Sequence, residues 1–176
     1  MKHLILLRHA SAENGELDRA RALSALGRSE AERMAAVLAR LAGRGFRPER
    51  VLCSPARRAR ETLAGLRGAL GAACRNQEDE ALYLASAGRL LATLQALPDP
   101  ESQVLLVGHN PGLAELAQLL VERGAADVLL RAARGLAPGG LAALRIATPR
   151  WRDLGPGCAE LVEFLRPADV AEKRVG

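Results

Sequence analysis

Aromatic side chains are scarce: Phe46, Tyr83, Trp151 and Phe164 are the whole set in a chain of 176 residues. Any core must therefore be built from Leu, Val and Ala, and the base-stacking platforms of a nucleic-acid binder are lacking. Lysine is scarcer still. Lys2 and Lys173 stand alone, so the formal net charge of +5 rests on arginine. The arginines are spread along the chain among many alanines, which fits a compositional bias better than a localised nucleic-acid footprint. A basic surface still favours anionic ligands. The three cysteines, Cys53, Cys74 and Cys158, show no C-x-x-C spacing. A reducing, cytoplasmic compartment is therefore expected, with no disulfide framework. The N-terminal apolar run is too short for a secretory signal and leads straight into Arg8-His9. No run approaches the ~20 apolar residues of a membrane span, so no membrane partner is expected. No pair of histidines, cysteines or carboxylates shows ligand spacing, so neither a metal nor another cofactor is expected.

What is present is ordinary in bulk, 49% hydrophobic and 26% charged, and suits a single domain over residues 1–176. Two stretches stand out. Leu4-Ile5-Leu6-Leu7 reads as a strand buried on both faces, and it breaks directly into Arg8-His9-Ala10. Val104-Leu105-Leu106-Val107 repeats the pattern and ends in Gly108-His109-Asn110-Pro111. In open α/β sheets ligands bind outside the carboxyl ends of the strands, so both histidines fall where chemistry is expected.

Between and after them, strands and helices alternate. Ser24 is placed to cap a helix whose apolar stripe is Leu26, Met34, Val37, Leu38 and Leu41, ended by Gly43 and Gly45. Arg50 to Ser54 reads as a strand, and Pro55 suits the first turn of a helix reaching Gly71. A short strand is expected over 73–77 and a helix from Ser86 to Leu97, with Pro98-Asp99-Pro100 as the break. Pro111 opens a helix to about Val121. Leu141–Ala147 and Ala159–Leu165 read as an antiparallel pair at the sheet edge. The expected fold is α/β, a three-layer sandwich with a mostly parallel sheet, helices on both faces and an antiparallel edge.

Arginine's planar guanidinium matches phosphate oxygens and stays charged at any physiological pH. Histidine can take a phosphoryl group on a ring nitrogen, and a second histidine with arginines can hold the oxygens of a loose phosphoryl-transfer transition state. These residues carry a family resemblance. Leu7-Arg8-His9-Ala10 resembles the Arg-His-Gly motif of the histidine phosphatase superfamily, the phosphoglycerate-mutase-like proteins. Ser54 to Thr62 is similar to its S-x-x-x-R-A-x-x-T segment, and Val107-Gly108-His109-Asn110-Pro111 to its second-histidine motif. Asp18 and Arg21, within D-x-x-R-A-L-S-x-x-G, resemble the loop of the short bacterial branch typified by SixA-type phosphohistidine phosphatases. A weaker match runs from Trp151 to Pro167.

The resemblance implies that His9 is the phosphorylated nucleophile. It makes Arg8, Arg58 and His109 the phosphate pocket, Arg21 a further phosphate contact and Asp18 its orienting partner. Two departures matter. Ala10 replaces the motif's glycine, and no clear match exists for the glutamate that donates a proton in the mutase-like branch. Glu80 is the nearest candidate, ahead of Asp79 and Glu78. A phosphohistidine's imidazole, with a reference pKa of ~6.5, can leave already protonated, so a phosphoramidate needs no dedicated acid. Only Leu63 to Gln103 separates the helix after Ser54 from the second-histidine strand, too little for the insertions that roof the site in larger relatives. The expected activity is thus that of a metal-independent phosphatase acting on a phosphohistidine-bearing protein, such as a phosphorelay component. The alternatives are a phosphomonoesterase for a small phosphorylated substrate, or a weakly catalytic phosphoprotein-binding module. Arg57 and Arg60 read as solvated helix charges, and His3 as a strand residue without a role.

Overall fold

A computed structural model describes residues 1–15 and 17–170. The elements are β1 (Lys2–Arg8), α1 (Ala25–Gly43), β2 (Arg50–Cys53), α2 (Arg57–Leu66), β3 (Arg75–Glu78), α3 (Ala87–Gln95), β4 (Gln103–Gly108), α4 (Gly112–Leu120), β5 (Val121–Gly124), α5 (Ala126–Ala132), β6 (Leu141–Ile146) and β7 (Ala159–Leu165). The strands form one seven-stranded sheet in the order β3-β2-β4-β1-β6-β7-β5. β1 pairs in parallel with β4, as β2 does with β4 and β3, and β5 with β7. β6 runs against both its neighbours, β1 and β7. The expected antiparallel pair, β6 with β7, thus lies toward one edge of the sheet, with β5 added outside it.

Because successive side chains of a strand point to opposite faces, the buried runs feed two cores. Ile5, Leu7, Leu105 and Val107 pack with Met34, Val37, Leu38 and Leu41 of α1 and Ala59, Leu63 and Leu66 of α2. Leu4, Leu6, Val104 and Leu106 pack on the other face with Leu90 and Leu94 of α3, Leu113, Leu116 and Leu120 of α4, and Trp151. Helices on both faces of a mostly parallel sheet make the three-layer α/β sandwich.

The local expectations hold with three informative departures. Ser24 caps α1 by accepting from the Gly27 N–H at 3.0 Å, but Leu26 is 59% exposed and does not join the stripe. The inward position of that turn belongs to Gly27, where an added Cβ would lie 1.9 Å from the Ser11 carbonyl oxygen. Pro55 stands before α2, not within its first turn, because the Ser54 hydroxyl accepts from the Ala56 N–H at 3.3 Å and holds a turn there. The short elements β5 and α5 fall in a stretch that the sequence reading passed over. β5 has two exposed charged residues, Glu122 and Arg123, and so lacks a strand's alternation. His3 stacks on Phe46 with 4.4 Å between ring centroids, a packing role. The weak tail match is structural as well: Trp151 Nε1 donates to the Glu101 carbonyl at 2.6 Å, at the end of the sheet where β1 begins.

Candidate active site

Parallel pairing of β1 with β4, in register at Arg8 and Gly108, delivers the two histidines side by side, with ring centroids 5.1 Å apart. β2 lies against the other side of β4, so the turn at its end places Ser54 under His109 and the first turn of α2 places Arg58 between the rings. The loop after β1 is fastened from both helices. The Ala10 N–H donates to Thr62 Oγ1 at 3.0 Å, and Glu30 accepts from the Ser11 N–H at 2.7 Å and from its hydroxyl at 3.0 Å. Glu61 accepts from the Leu23 N–H at 2.6 Å. Of the closing residues of the two motifs, Thr62 therefore acts by holding the backbone of this loop and Gly27 by leaving room for it.

The hydrogen bonds fix both ring tautomers. His9 Nδ1 lies 2.8 Å from the Ala10 carbonyl oxygen, which can only accept, so Nδ1 carries the proton. The lone pair is left on Nε2, which accepts from Arg58 Nε–H at 3.2 Å. Arg58 Nη2 donates to His109 Nδ1 at 3.3 Å. His109 must then carry its proton on Nε2 and donate it to Ser54 Oγ, 2.7 Å away. The remaining donors of Arg58 reach Asp18: Nη1 to its carbonyl at 2.6 Å and Nη2 to its carboxylate at 3.0 Å. That carboxylate also accepts from the Tyr83 hydroxyl at 2.7 Å and from Arg21 at 3.2 Å. Tyr83 turns its ring edge-on to His109, with centroids 5.6 Å apart. Arg8 Nη1 donates to the Leu136 carbonyl at 3.0 Å, beside Asn110 Nδ2 at 2.8 Å. Arg8 Nε is buried and has no partner among the described residues. A buried N–H of this kind calls for an acceptor, and an oxyanion in the site would supply one.

Burial is the main cause that pushes His9 down to about 4, and the charges of Arg58, Arg8 and Arg21 add to it. His109 is pushed down to about 3, again chiefly by burial, then by His9 and Arg58. Both rings are therefore neutral at pH 7. Asp18 is held down at about 2, first by the Tyr83 hydroxyl and then by Arg58 and Arg21. It is always ionised near neutrality and has no proton to give.

The structure thus brings together His9, His109, Arg8, Arg58, Arg21 and Asp18. Asp18 does more than orient Arg21, since it grips Arg58 as well. Glu80 sits on a 3₁₀ turn (Glu80–Leu82), 71% exposed at its side chain and ion-paired with Arg19. Asp79 caps that turn by accepting from the Ala81 N–H at 2.8 Å. Arg57 pairs with Glu61, and Arg60 faces Glu78 at 3.9 Å, both on the solvent side as expected. Two contributors escaped the sequence reading. Ser54 lies inside a quoted motif, but its contact with His109 comes from strand order. Tyr83 carries no motif, and its one signal was being among so few aromatics. Among the described residues, no group of three or more His, Cys, Asp and Glu could hold a metal ion.

This fold and this site match known proteins. The model of the histidine phosphatase superfamily (branch 1) matches residues 4–92, and the chain belongs to that family. Its structural relatives place it with the SixA-type branch. A proposed phosphohistidine phosphatase SixA from Nakamurella multipartitia is similar with a TM-score of 0.76 and 30% identity, over 94% of this chain and 96% of that one. A second, from Agrobacterium tumefaciens, has a TM-score of 0.75 and 30% identity, over 94% and 98%. By sequence the chain is 36% identical over 119 residues to the uncharacterized protein Rv1276c of Mycobacterium tuberculosis, covering 66% of this chain and 72% of the relative. No helix among the described residues is long and apolar enough to cross a membrane.

Proposed function

We propose that the chain is a phosphohistidine phosphatase that works through a covalent intermediate on His9. The observation that carries this reading is the Nε–Nη2 edge of Arg58, which spans His9 Nε2 at 3.2 Å and His109 Nδ1 at 3.3 Å. That edge is arginine's bidentate face for an oxyanion. A phosphoryl group entering between the rings takes over both donors and frees the His9 lone pair. His9 Nε2 attacks phosphorus as the P–N bond of the substrate breaks, and the departing imidazole leaves neutral because its other nitrogen already carries a proton. Arg8, Arg21 and Arg58 hold the phosphoryl oxygens. The dianion also favours a protonated His109, whose Nδ1 then becomes a donor to it. Water attacks next, the P–Nε2 bond breaks and phosphate leaves. The arginines supply the charge stabilisation in this scheme, and no step calls for a metal.

Among the described residues no carboxylic acid with a proton to give contacts His9 or His109, which favours a phosphoramidate over an ester. Among the described residues Asp18 is the carboxylate bonded to the histidine–arginine cluster, and it is ionised throughout the neutral range. Glu80 is committed to Arg19. The experiment compares kcat/KM on free phosphohistidine, on a histidine-phosphorylated protein and on phosphate monoesters from acidic phenols to simple alcohols. Phosphohistidine and the acidic aryl esters should turn over, and alkyl esters should be poor substrates. Equal rates for alkyl and aryl esters would instead favour a small-molecule phosphomonoesterase.

A further inference from the structure

Two leucines at the rim of the site stand where local chemistry disfavours them. Leu17 occupies the cap of the 3₁₀ turn Asp18–Ala20, makes no capping bond there, and is 74% exposed. Ser, Asp or Asn would satisfy a free N–H at such a position. Leu84 has φ +48°, the one positive value outside glycine among the described residues, and is 54% exposed. A Cβ is penalised in that conformation, which Gly or Asn adopts readily. Departures from local preference without a packing gain mark functional positions.

The two positions belong to one feature. Leu17 adjoins Asp18, whose carboxylate accepts from the Tyr83 hydroxyl at 2.7 Å, and Leu84 adjoins Tyr83. Arg19 and Glu80 tie the same two loops a second time, and Arg19 also lies over the Tyr83 ring, 5.4 Å from its centroid. The leucines are thus held by a braced pair of loops, each one residue from a group in contact with the histidine–arginine cluster. A phosphohistidine hangs on a short side chain. For its phosphorus to reach His9, its own backbone and the residues beside it must come up against this rim.

We infer that Leu17 and Leu84 form an apolar docking rim for a histidine-phosphorylated protein, seating on apolar side chains that flank its phosphohistidine. The inference rests on the phosphohistidine reading and names the kind of partner that reading requires. Free phosphohistidine has the same P–N bond and no surrounding surface, so it reports the chemistry without the rim.

The test uses Leu17→Ser, Leu84→Asn and the pair. Leu130→Ser is the control, at a leucine of α5 that is 67% exposed. The probes are free phosphohistidine and a histidine-containing phosphotransfer domain loaded with phosphoramidate. The rim variants should lower kcat/KM on the phosphoprotein by about tenfold or more, through KM, since each removes a buried leucine contact. Their rates on free phosphohistidine should stay within about twofold of wild type. The control should alter neither rate, and Leu84→Asn should unfold at no lower urea concentration than wild type. Unchanged phosphoprotein kinetics in the rim variants, with the wild type active on that substrate, would overturn the rim and leave the phosphohistidine reading intact. Equal losses on both probes would also overturn it, because the leucines would then be shaping the pocket itself. A wild type that cleaves free phosphohistidine and ignores the phosphoprotein would remove the protein-substrate reading and the rim together.

Discussion

Acid should loosen this fold well before it reaches the carboxylates, and the two site histidines should be the cause. In the unfolded chain each imidazole has its ordinary pKa of 6.5, whereas burial and the neighbouring arginines hold His9 at about 4 and His109 at about 3. Between pH 6.5 and 4 the unfolded state therefore binds protons that the folded state refuses, so stability rises with pH through that window and is lost as pH falls. At pH 5 an ordinary histidine lies one and a half pH units below its pKa. At ~1.4 kcal/mol per unit this costs the folded state about 2 kcal/mol for each ring, or roughly 4 kcal/mol for the pair. Typical domains have only ~5–15 kcal/mol in total. Urea unfolding at pH 7.5 and 5.0 measures the loss directly. His9→Ala and His109→Ala should each remove about half of the difference, and the double variant nearly all of it. The ring C–H resonances of His9 and His109 in the folded protein should shift little between pH 7.5 and 5.0. Equal unfolding free energies at the two pH values, or a double variant with the wild-type pH slope, would refute the assignment of two neutral buried rings.

Other perturbations separate the roles of individual side chains. Arg58→Lys should lower kcat/KM by about 10² or more, since an ammonium cannot span two acceptors as the guanidinium edge does, whereas Arg60→Lys on the solvent face should change it less than about twofold. Ser54→Ala leaves the His109 Nε2–H buried without its acceptor and should cost about 1–3 kcal/mol in urea unfolding. Glu80→Gln should change phosphohistidine turnover far less than the ~10²–10⁴ that follows loss of a general acid. A large loss there, measured across a leaving-group series, would restore Glu80 as proton donor and the phosphomonoesterase reading with it.

Much of this was legible in the chain because the chemistry sits at the ends of its two most apolar runs. Leu4–Leu7 and Val104–Val107 declare buried strands, and each ends in a histidine, so parallel pairing alone puts His9 beside His109. Arg58 was found through its motif, and Ser24 was readable as a cap because a serine before an apolar stripe has a clear local use. What stayed hidden depends on contacts between segments distant in sequence. Tyr83 reaches Asp18 across loops that no periodicity links, and the Leu136 carbonyl that steadies Arg8 lies on an irregular turn. Leu26 fitted the helical period, yet the close approach of Ser11 gives that inward position to Gly27. β5 was missed because Glu122 and Arg123 deprive it of a strand's alternation, and α5 because seven residues are too few to show a helical period.

The central claim is that phosphate passes through His9, and trapping the phosphoenzyme tests it most directly. Enzyme mixed with a ³²P-labelled phosphohistidine protein and quenched in alkaline detergent during turnover should carry label that is stable to base and lost in acid. Peptide mass spectrometry should place that label on His9. His9→Ala should still unfold cooperatively in urea at neutral pH and show neither label nor turnover. Label on His109, or appreciable turnover by a folded His9→Ala protein, would contradict the account.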